Sequence, residues 1–302
     1  MENKTSFDVV IIGGSYAGLS AAMTLGRSLR EVLIVDSQRP CNRQTPHSHN
    51  FITQDGEKPA EIAAKARVQV LAYPSVKIQA GLVTALEKKD TGFMVKTEMG
   101  ESFTAKKVLF ATGIVDEMLP VKGFENCWGI SILHCPYCHG YEVRNQALAV
   151  LANGDAGFDF SLFIRNWSEN LMLFTNGQST LNAVQSAKLA DKGIAIVETE
   201  ISEFIHANGQ LRSVVFADGR EIALDAIFAR VGFKQHSELP AQLGCALNEQ
   251  GFIQTDDFQR TSIPGLYAAG DNCTPFRSVS GAAAAGTKAG ALINKELIDE
   301  QA

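Results

Sequence analysis

Residues 7–18 read Phe7-Asp8-Val9-Val10-Ile11-Ile12-Gly13-Gly14-Ser15-Tyr16-Ala17-Gly18, an apolar run that ends in a glycine-rich turn. A helix pattern rich in small residues follows over 19–29, and a second apolar run, 32–35, ends in Asp36. Strand, glycine turn, helix, strand and acid, in that order, form the dinucleotide fingerprint. The glycines let the backbone approach a pyrophosphate, which sits at the helix N-terminus, and the acid accepts hydrogen bonds from the adenosine ribose. Gly13, Gly14, Tyr16, Ala17, Gly18 and Asp36 are therefore candidate nucleotide contacts, with Ser15 standing where the middle glycine is usual.

Working outward, residues 59–72 have helical composition. A β-rich section over 76–110, punctuated by turns at 89–92 and 99–101, closes in Val108-Leu109-Phe110-Ala111-Thr112-Gly113. The same plan then starts again. An apolar run at 148–151 leads into Ala152-Asn153-Gly154-Asp155-Ala156-Gly157, a helix pattern follows, and the next strand is 171–174. Gly13 to Asp36 and Ala152 to Thr175 are both 23 residues apart, and the second β section ends in an echo of the first at 227–232. This is an internal repeat of one dinucleotide module.

The second copy keeps the pattern and loses the chemistry. Ala152 replaces Gly13, and Thr175 replaces Asp36. A site for a phosphorylated nicotinamide cofactor needs arginines just after this strand, because a guanidinium matches phosphate geometry. The chain offers Asn176, Gly177 and Leu181. Two missing charge-assisted contacts at ~1.5–3 kcal/mol each predict NADPH binding weaker by roughly two to four orders of magnitude. Arg165 and Gly154 are the features that the second copy retains.

The first module must recruit its last part from the far end. Residues 247–254 and 257–260 read as strand-forming, 263–271 ends in Gly270-Asp271, and the Ala- and Gly-rich stretch 280–298 has helical composition suited to close packing. The expected fold is α/β, with two Rossmann-like, three-layer ββα dinucleotide-binding domains, the first interrupted by the second: 1–115, 116–245 and 246–302.

With 302 residues and a net charge of −6, the chain has length for two cores and lacks the basic footprint of a nucleic-acid binder. The polar residues 1–6 lack the sections of a signal peptide, and no stretch approaches the ~20 apolar residues that span a bilayer. The expectation is a cytoplasmic protein, where a close cysteine pair is catalytic or metal-binding rather than structural. Of the six cysteines only Cys135 and Cys138 are close. Cys41, Cys127, Cys245 and Cys273 stand alone and read as small apolar residues. No second paired motif supplies further zinc ligands, so no metal is expected.

Cys135 and Cys138 lie within His134-Cys135-Pro136-Tyr137-Cys138-His139. A spacing of three puts both thiols on one side of a helical turn, within reach of a disulfide. Pro136 suits a first helical position, Gly140 can end the turn, and amides there favour a thiolate. His139 titrates near neutral pH and suits a proton acceptor from a thiol. His49 is a second candidate base, while His47, His134 and Trp128 read as exposed or packing residues.

Together these motifs resemble the low-molecular-weight thioredoxin reductase family of flavoproteins over essentially the whole chain. The matching segments are 13–18, Ala111-Thr112-Gly113, Cys135 to Cys138 and 265–271. The resemblance implies FAD in the discontinuous domain, a redox disulfide in the middle domain and a homodimer. It implies contacts to FAD from Asp271 at the ribityl or phosphate region, from Ser278 and Val279 amides at the pyrimidine end, and from Asn42 and Val83 at the ring edge and adenine. It also implies that Cys138 faces the flavin and Cys135 exchanges with substrate. His139 stands where the family has aspartate. With the absent arginines, this is similar to a subgroup of dithiol oxidases with a Cys-x-x-Cys-His motif, as are residues 39–42, 49–51 and 55–56. The expected activity is dithiol/disulfide exchange coupled to FAD without efficient NADPH use, on a small-molecule dithiol or a thioredoxin-like protein. A thioredoxin reductase driven by NADPH or ferredoxin and a redox-sensing flavoprotein are the alternatives.

Overall fold

A computed structural model describes residues 4–302. The chain forms two compact units. One comprises the chain up to Arg43, then Glu57–Val115 and Phe233–Ala302; the other comprises Gln44–Gly56 and Asp116–Gly232. Expected boundaries were 115/116 and 245/246. The segment 233–245 instead belongs with the first unit, because Leu239 and Cys245 are buried in the same core as Phe7, Val10 and Leu33. The loop Gln44–Gly56 is grouped with the second unit.

In the first unit, the strand order is Val76–Ala80, Val32–Asp36, Ser6–Ile12, Ser102–Phe110, Gly92–Thr97, Val83–Lys89. The first three strands and Ser102–Phe110 run parallel. The long strand Ser102–Phe110 then branches. Its first half pairs antiparallel with Gly92–Thr97, while Val108 to Phe110 pair parallel with Leu266–Ala268 from the far end of the chain. That register explains why the first module is incomplete without its C-terminal segment. Because side chains alternate along a strand, Val10 and Ile12 enter one core and Val9 and Ile11 the other. Burial on both faces is what makes the strand a continuous apolar run.

Helix Tyr16–Arg27 packs on helix Val279–Asp299 in the second of these cores. The approach is close enough that a Cβ at Gly286 would sit 2.0 Å from the Ala17 carbonyl oxygen. Residues 247–254 and 257–260 do not form the strands expected of them. They contribute only the isolated bridges Leu247–Ile253 and Arg260–Tyr267. Local turns, such as the Asn248 side chain accepting from the Gln250 and Phe252 amides, take the backbone groups that a strand would need.

The second unit repeats the parallel order as Ala195–Val197, Leu171–Phe174, Leu148–Leu151, Ala226–Ala229, with Ile132–Leu133 at the edge. A three-stranded antiparallel sheet, Ile201–Ala207, Gln210–Phe216 and Glu221–Ala223, completes the layering. Trp128 is a core residue, as expected. It stacks on Phe124, and its Nε1 donates to Asp116 Oδ2 at 3.2 Å. His134 also stacks on it, with ring centres 6.0 Å apart. No helix among the described residues is long and apolar enough to cross a membrane.

Candidate functional site

The glycine turn opens on a cavity of about 730 Å³ in the first unit, within the range of cofactor sites. Gly13, Gly14, Ser15, Tyr16, Asp36, Asn42, Val83, Ala111 and Thr112 all line it. Gly13 has φ +105°, and a Cβ there would meet the Ala111 carbonyl oxygen at 2.3 Å, so the turn tolerates only glycine at this point. Ser15 makes no side-chain cap to helix Tyr16–Arg27. The first-turn amides of that helix are thus left uncapped at the cavity wall, the arrangement that receives a phosphate. Asn42 Nδ2 donates to the Tyr16 hydroxyl at 3.3 Å, and that hydroxyl donates to the Pro59 carbonyl at 3.3 Å.

The other predicted contacts do not line this cavity. Ala17 and Gly18 are buried in the first helical turn. Gly270 has φ +97°, and Asp271 lies 3.8 Å from Arg277 Nε and 3.9 Å from the Cys41 sulfur. Ser278 caps helix Val279–Asp299, its hydroxyl accepting from the Gly281 amide at 2.9 Å. Gly113 has φ +64°, and its carbonyl accepts from His236.

Sequence reasoning missed the cationic side of the cavity. Arg39, Arg43 and Arg67 line it, and Arg67 forms an ion pair with Asp36 while approaching the Gly14 carbonyl at 3.4 Å. Arg67 lies on helix Pro59–Leu71, far from any motif, and only the packing of that helix on the first module could have revealed it. Three guanidinium groups beside an uncapped helix N-terminus suit an anionic pyrophosphate. Residues and cavity therefore fit a dinucleotide: the glycine turn for the pyrophosphate, Asp36 for a ribose, Val83 for the adenine.

In the second unit, Cys135 and Cys138 form a disulfide with Cα atoms 5.3 Å apart. Pro136–His139 is a single helical turn, and the amides of Cys138 and His139 both donate to the Cys135 carbonyl at 3.2 Å. Against this turn lies the loop 44–56, which brings His49 edge-on to His139, with ring centres 6.3 Å apart and an interplanar angle of 89°. His49 Nε2 lies 3.7 Å from Glu142 and its Nδ1 3.8 Å from Asp55. His47 Nδ1 is 2.9 Å from the Gly56 carbonyl. Burial, and secondly the neighbouring His49, push the His139 pKa down from 6.5 to about 4. His139 is therefore neutral throughout the neutral range, able to accept a proton but less basic than an ordinary imidazole.

Three of the remaining cysteines, Cys127, Cys245 and Cys273, are poor nucleophiles. Burial raises the thiol pKa of Cys127 and Cys245, and burial with Asp271 raises that of Cys273 to about 12. Among the described residues, no group of three or more His, Cys, Asp or Glu side chains is placed to hold a metal ion.

A nucleotide cavity in one unit and a three-spaced disulfide in a second, repeated unit is a combination that comparison with known proteins places in a family. The model of the pyridine nucleotide-disulphide oxidoreductases matches residues 7–287. The chain belongs to that family. It is 32% identical, over 99% of its length and 96% of the relative's, to a thioredoxin reductase, tcpT, of Claviceps purpurea. Among solved structures it is similar to an oxidoreductase from Agrobacterium tumefaciens, at 38% identity and TM-score 0.91, covering 97% of this chain and 99% of that one. It is also similar to a putative thioredoxin reductase from Bacillus anthracis, at 33% identity and TM-score 0.93, covering 98% and 100%. The protein is a thioredoxin reductase-like oxidoreductase, and its family implies FAD.

Proposed function

We propose that this enzyme is an FAD-dependent dithiol oxidase-like protein. It exchanges electrons with a substrate dithiol through Cys135 and Cys138, without efficient use of NADPH. The observation that carries the reading is the placement of His139, next to Cys138 in sequence and edge-on to His49, in a chain whose second nucleotide module lacks the acid and the arginines.

The exchange balances as follows. One substrate thiol, its proton taken by His139, attacks the Cys135 sulfur, and the disulfide breaks with Cys138 leaving as a thiolate. The second substrate thiol then attacks the substrate sulfur of the mixed disulfide and expels Cys135, which takes up the proton that this second thiol gives up, while His139 returns the first proton to the Cys138 thiolate. The substrate leaves as a disulfide, having lost two electrons and two protons, and the chain holds a reduced pair. FAD, when bound, supplies the two-electron acceptor for that pair. Cys138 is assigned the flavin side and Cys135 the substrate side on the family resemblance.

The substrate class is a small-molecule dithiol, with a thioredoxin-like protein as the competing partner. The functional unit is taken to be a homodimer working in the cytoplasm. Anaerobic titration of the flavoprotein tests the reading. Bleaching of the flavin by a simple dithiol, with none by stoichiometric NADPH, is the expected result, and rapid bleaching by NADPH would restore a conventional reductase. Turnover retained in Cys138→Ser would remove the disulfide from the mechanism.

A further inference from the structure

The two nucleotide modules can be compared position by position, because Gly13 to Asp36 and Ala152 to Thr175 span the same number of residues. Gly14 in the first corresponds to Asn153 in the second. Gly14 brings no side chain to the phosphate cradle, and the adjoining helix is left without a side-chain cap. Asn153 fills the equivalent space with its own carboxamide. Its Oδ1 accepts from the Gly154 amide at 2.8 Å, the Thr180 amide at 2.9 Å and the Thr180 hydroxyl at 3.2 Å, and its Nδ2 donates to the Gln178 carbonyl at 2.9 Å.

The loop beyond strand Leu171–Phe174, where a ribose or its phosphate would be read, is closed on itself as well. The Ser179 amide donates to Glu198 Oε1 at 2.7 Å, and the Gly177 amide to the Glu198 carbonyl at 2.8 Å. Thr175, in place of the ribose-binding acid, donates its hydroxyl to the Gly177 carbonyl at 2.7 Å. Arg165 offers no compensation. It follows helix Gly154–Ile164 and hydrogen-bonds the Lys192 carbonyl at 3.0 Å, roughly 15 Å along the axis from the cradle at 1.5 Å per residue.

We propose that Asn153 is a built-in plug of the second module. Its carboxamide satisfies the donors that a pyrophosphate would need, and the Glu198 latch places a carboxylate where a nucleotide phosphate would approach. The inference rests on the proposed nicotinamide-independent reading and assigns the residues that enforce it. Asn153 takes no part in the thiol chemistry or in the first-module cavity, so its replacement leaves dithiol oxidation in place.

The test titrates NADPH into the holoprotein and reads nicotinamide fluorescence rather than activity. Wild type and Asn153→Asp, which keeps the acceptor and adds charge, are expected to show no saturable binding in the millimolar range. Asn153→Gly, and Asn153→Ser with its shorter side chain as a second variant, are expected to bind at least about tenfold more tightly, as Gly154 and Thr180 donors become available to phosphate. Combining Asn153→Gly with Glu198→Gln should tighten binding further. Dithiol turnover and flavin content confirm that each variant is folded. Folded Gly and Ser variants with unchanged NADPH binding would overturn the plug while leaving the dithiol reading intact. Tight NADPH binding by wild type would overturn both the plug and the nicotinamide-independent part of the reading.

Discussion

If His139 takes the proton from the incoming thiol, its depressed pKa fixes the pH dependence of the reductive half-reaction. An uncatalysed exchange needs a free thiolate. For a thiol of pKa about 8.5, the thiolate fraction at pH 5.5 is about 10⁻³, and the rate would rise about tenfold per pH unit up to that pKa. A neutral base bonded to the thiol removes that slope, since the reactive pair is thiol and neutral histidine. With His139 held at about 4 rather than 6.5, it is neutral from about pH 5 upward. Wild type should therefore bleach at a nearly constant rate from pH 5.5 to 7.5, with an acid limb centred near 4. His139→Gln should lose about two to three orders of magnitude at pH 5.5, within the usual range for general base catalysis, and regain most of it by pH 8.5. His49→Gln removes the secondary cause of the shift and keeps burial, the larger one. Its acid limb should move up from 4 and stay below 6.5. Stopped-flow anaerobic mixing with a simple dithiol, monitored at the flavin absorption, measures all three. A wild-type rate rising tenfold per pH unit between 5.5 and 7.5, or a His139→Gln profile parallel to wild type, would refute the base assignment.

The same histidine affects stability. Its folded pKa lies below its unfolded one, so between about 4 and 6.5 the unfolded chain binds more protons and stability falls on acidification. At 1.36 kcal/mol per pH unit, the loss approaches about 3 kcal/mol below pH 4, and urea unfolding at pH 7 and pH 4.5 should show it reduced in His139→Gln. Lys107, only 5% exposed, is tied to Glu296 and Glu300 on helix Val279–Asp299. Lys107→Ala should cost about 2–3 kcal/mol in equilibrium unfolding, near the lower end for a broken buried pair because its partners reach solvent, while Glu300→Gln should cost under about 1 kcal/mol. Gly286→Val should destabilise by at least about 1–3 kcal/mol and lower flavin retention, measured as the absorbance ratio of purified protein, since its side chain collides with the Ala17 carbonyl. Asp36→Ala should weaken FAD binding roughly tenfold to a hundredfold by apoprotein reconstitution, the worth of hydrogen bonds to a charged acceptor.

What was legible in the chain follows from the range of the interactions involved. The glycine turn, the alternation that buries Val9 and Val10 on opposite faces, and the repeat at 148–175 are local, and the sheets repeat them strand for strand. Residues 247–260 depart from the expected strands because apolar pattern alone cannot distinguish a strand from a chain whose polar groups are taken up in turns around Asn248 and Asp256. The interval 233–245 groups with the first unit and not, as its position in sequence suggests, with the second, for a related reason. Leu239 and Cys245 are apolar in either setting, and only their packing against the first core decides between them. Arg67 carried no motif at all, and it reaches Asp36 from a helix that begins 23 residues later.

The histidine pair shows the same limit inside the second unit. His139 is identifiable by its place beside Cys138, but its lowered proton affinity comes from burial that no spacing encodes and, secondly, from His49, some 90 residues earlier in sequence. Asn153 shows the converse. Its identity is visible in the sequence as a departure from glycine, yet only the three donors converging on its carboxamide turn a missing motif into an occupied one. A degenerate module can be merely empty or actively closed, and these two states predict different variants. An empty cradle lacks affinity and needs added arginines to gain it, whereas a closed one gains affinity when a single side chain is removed, which is why Asn153→Gly separates them.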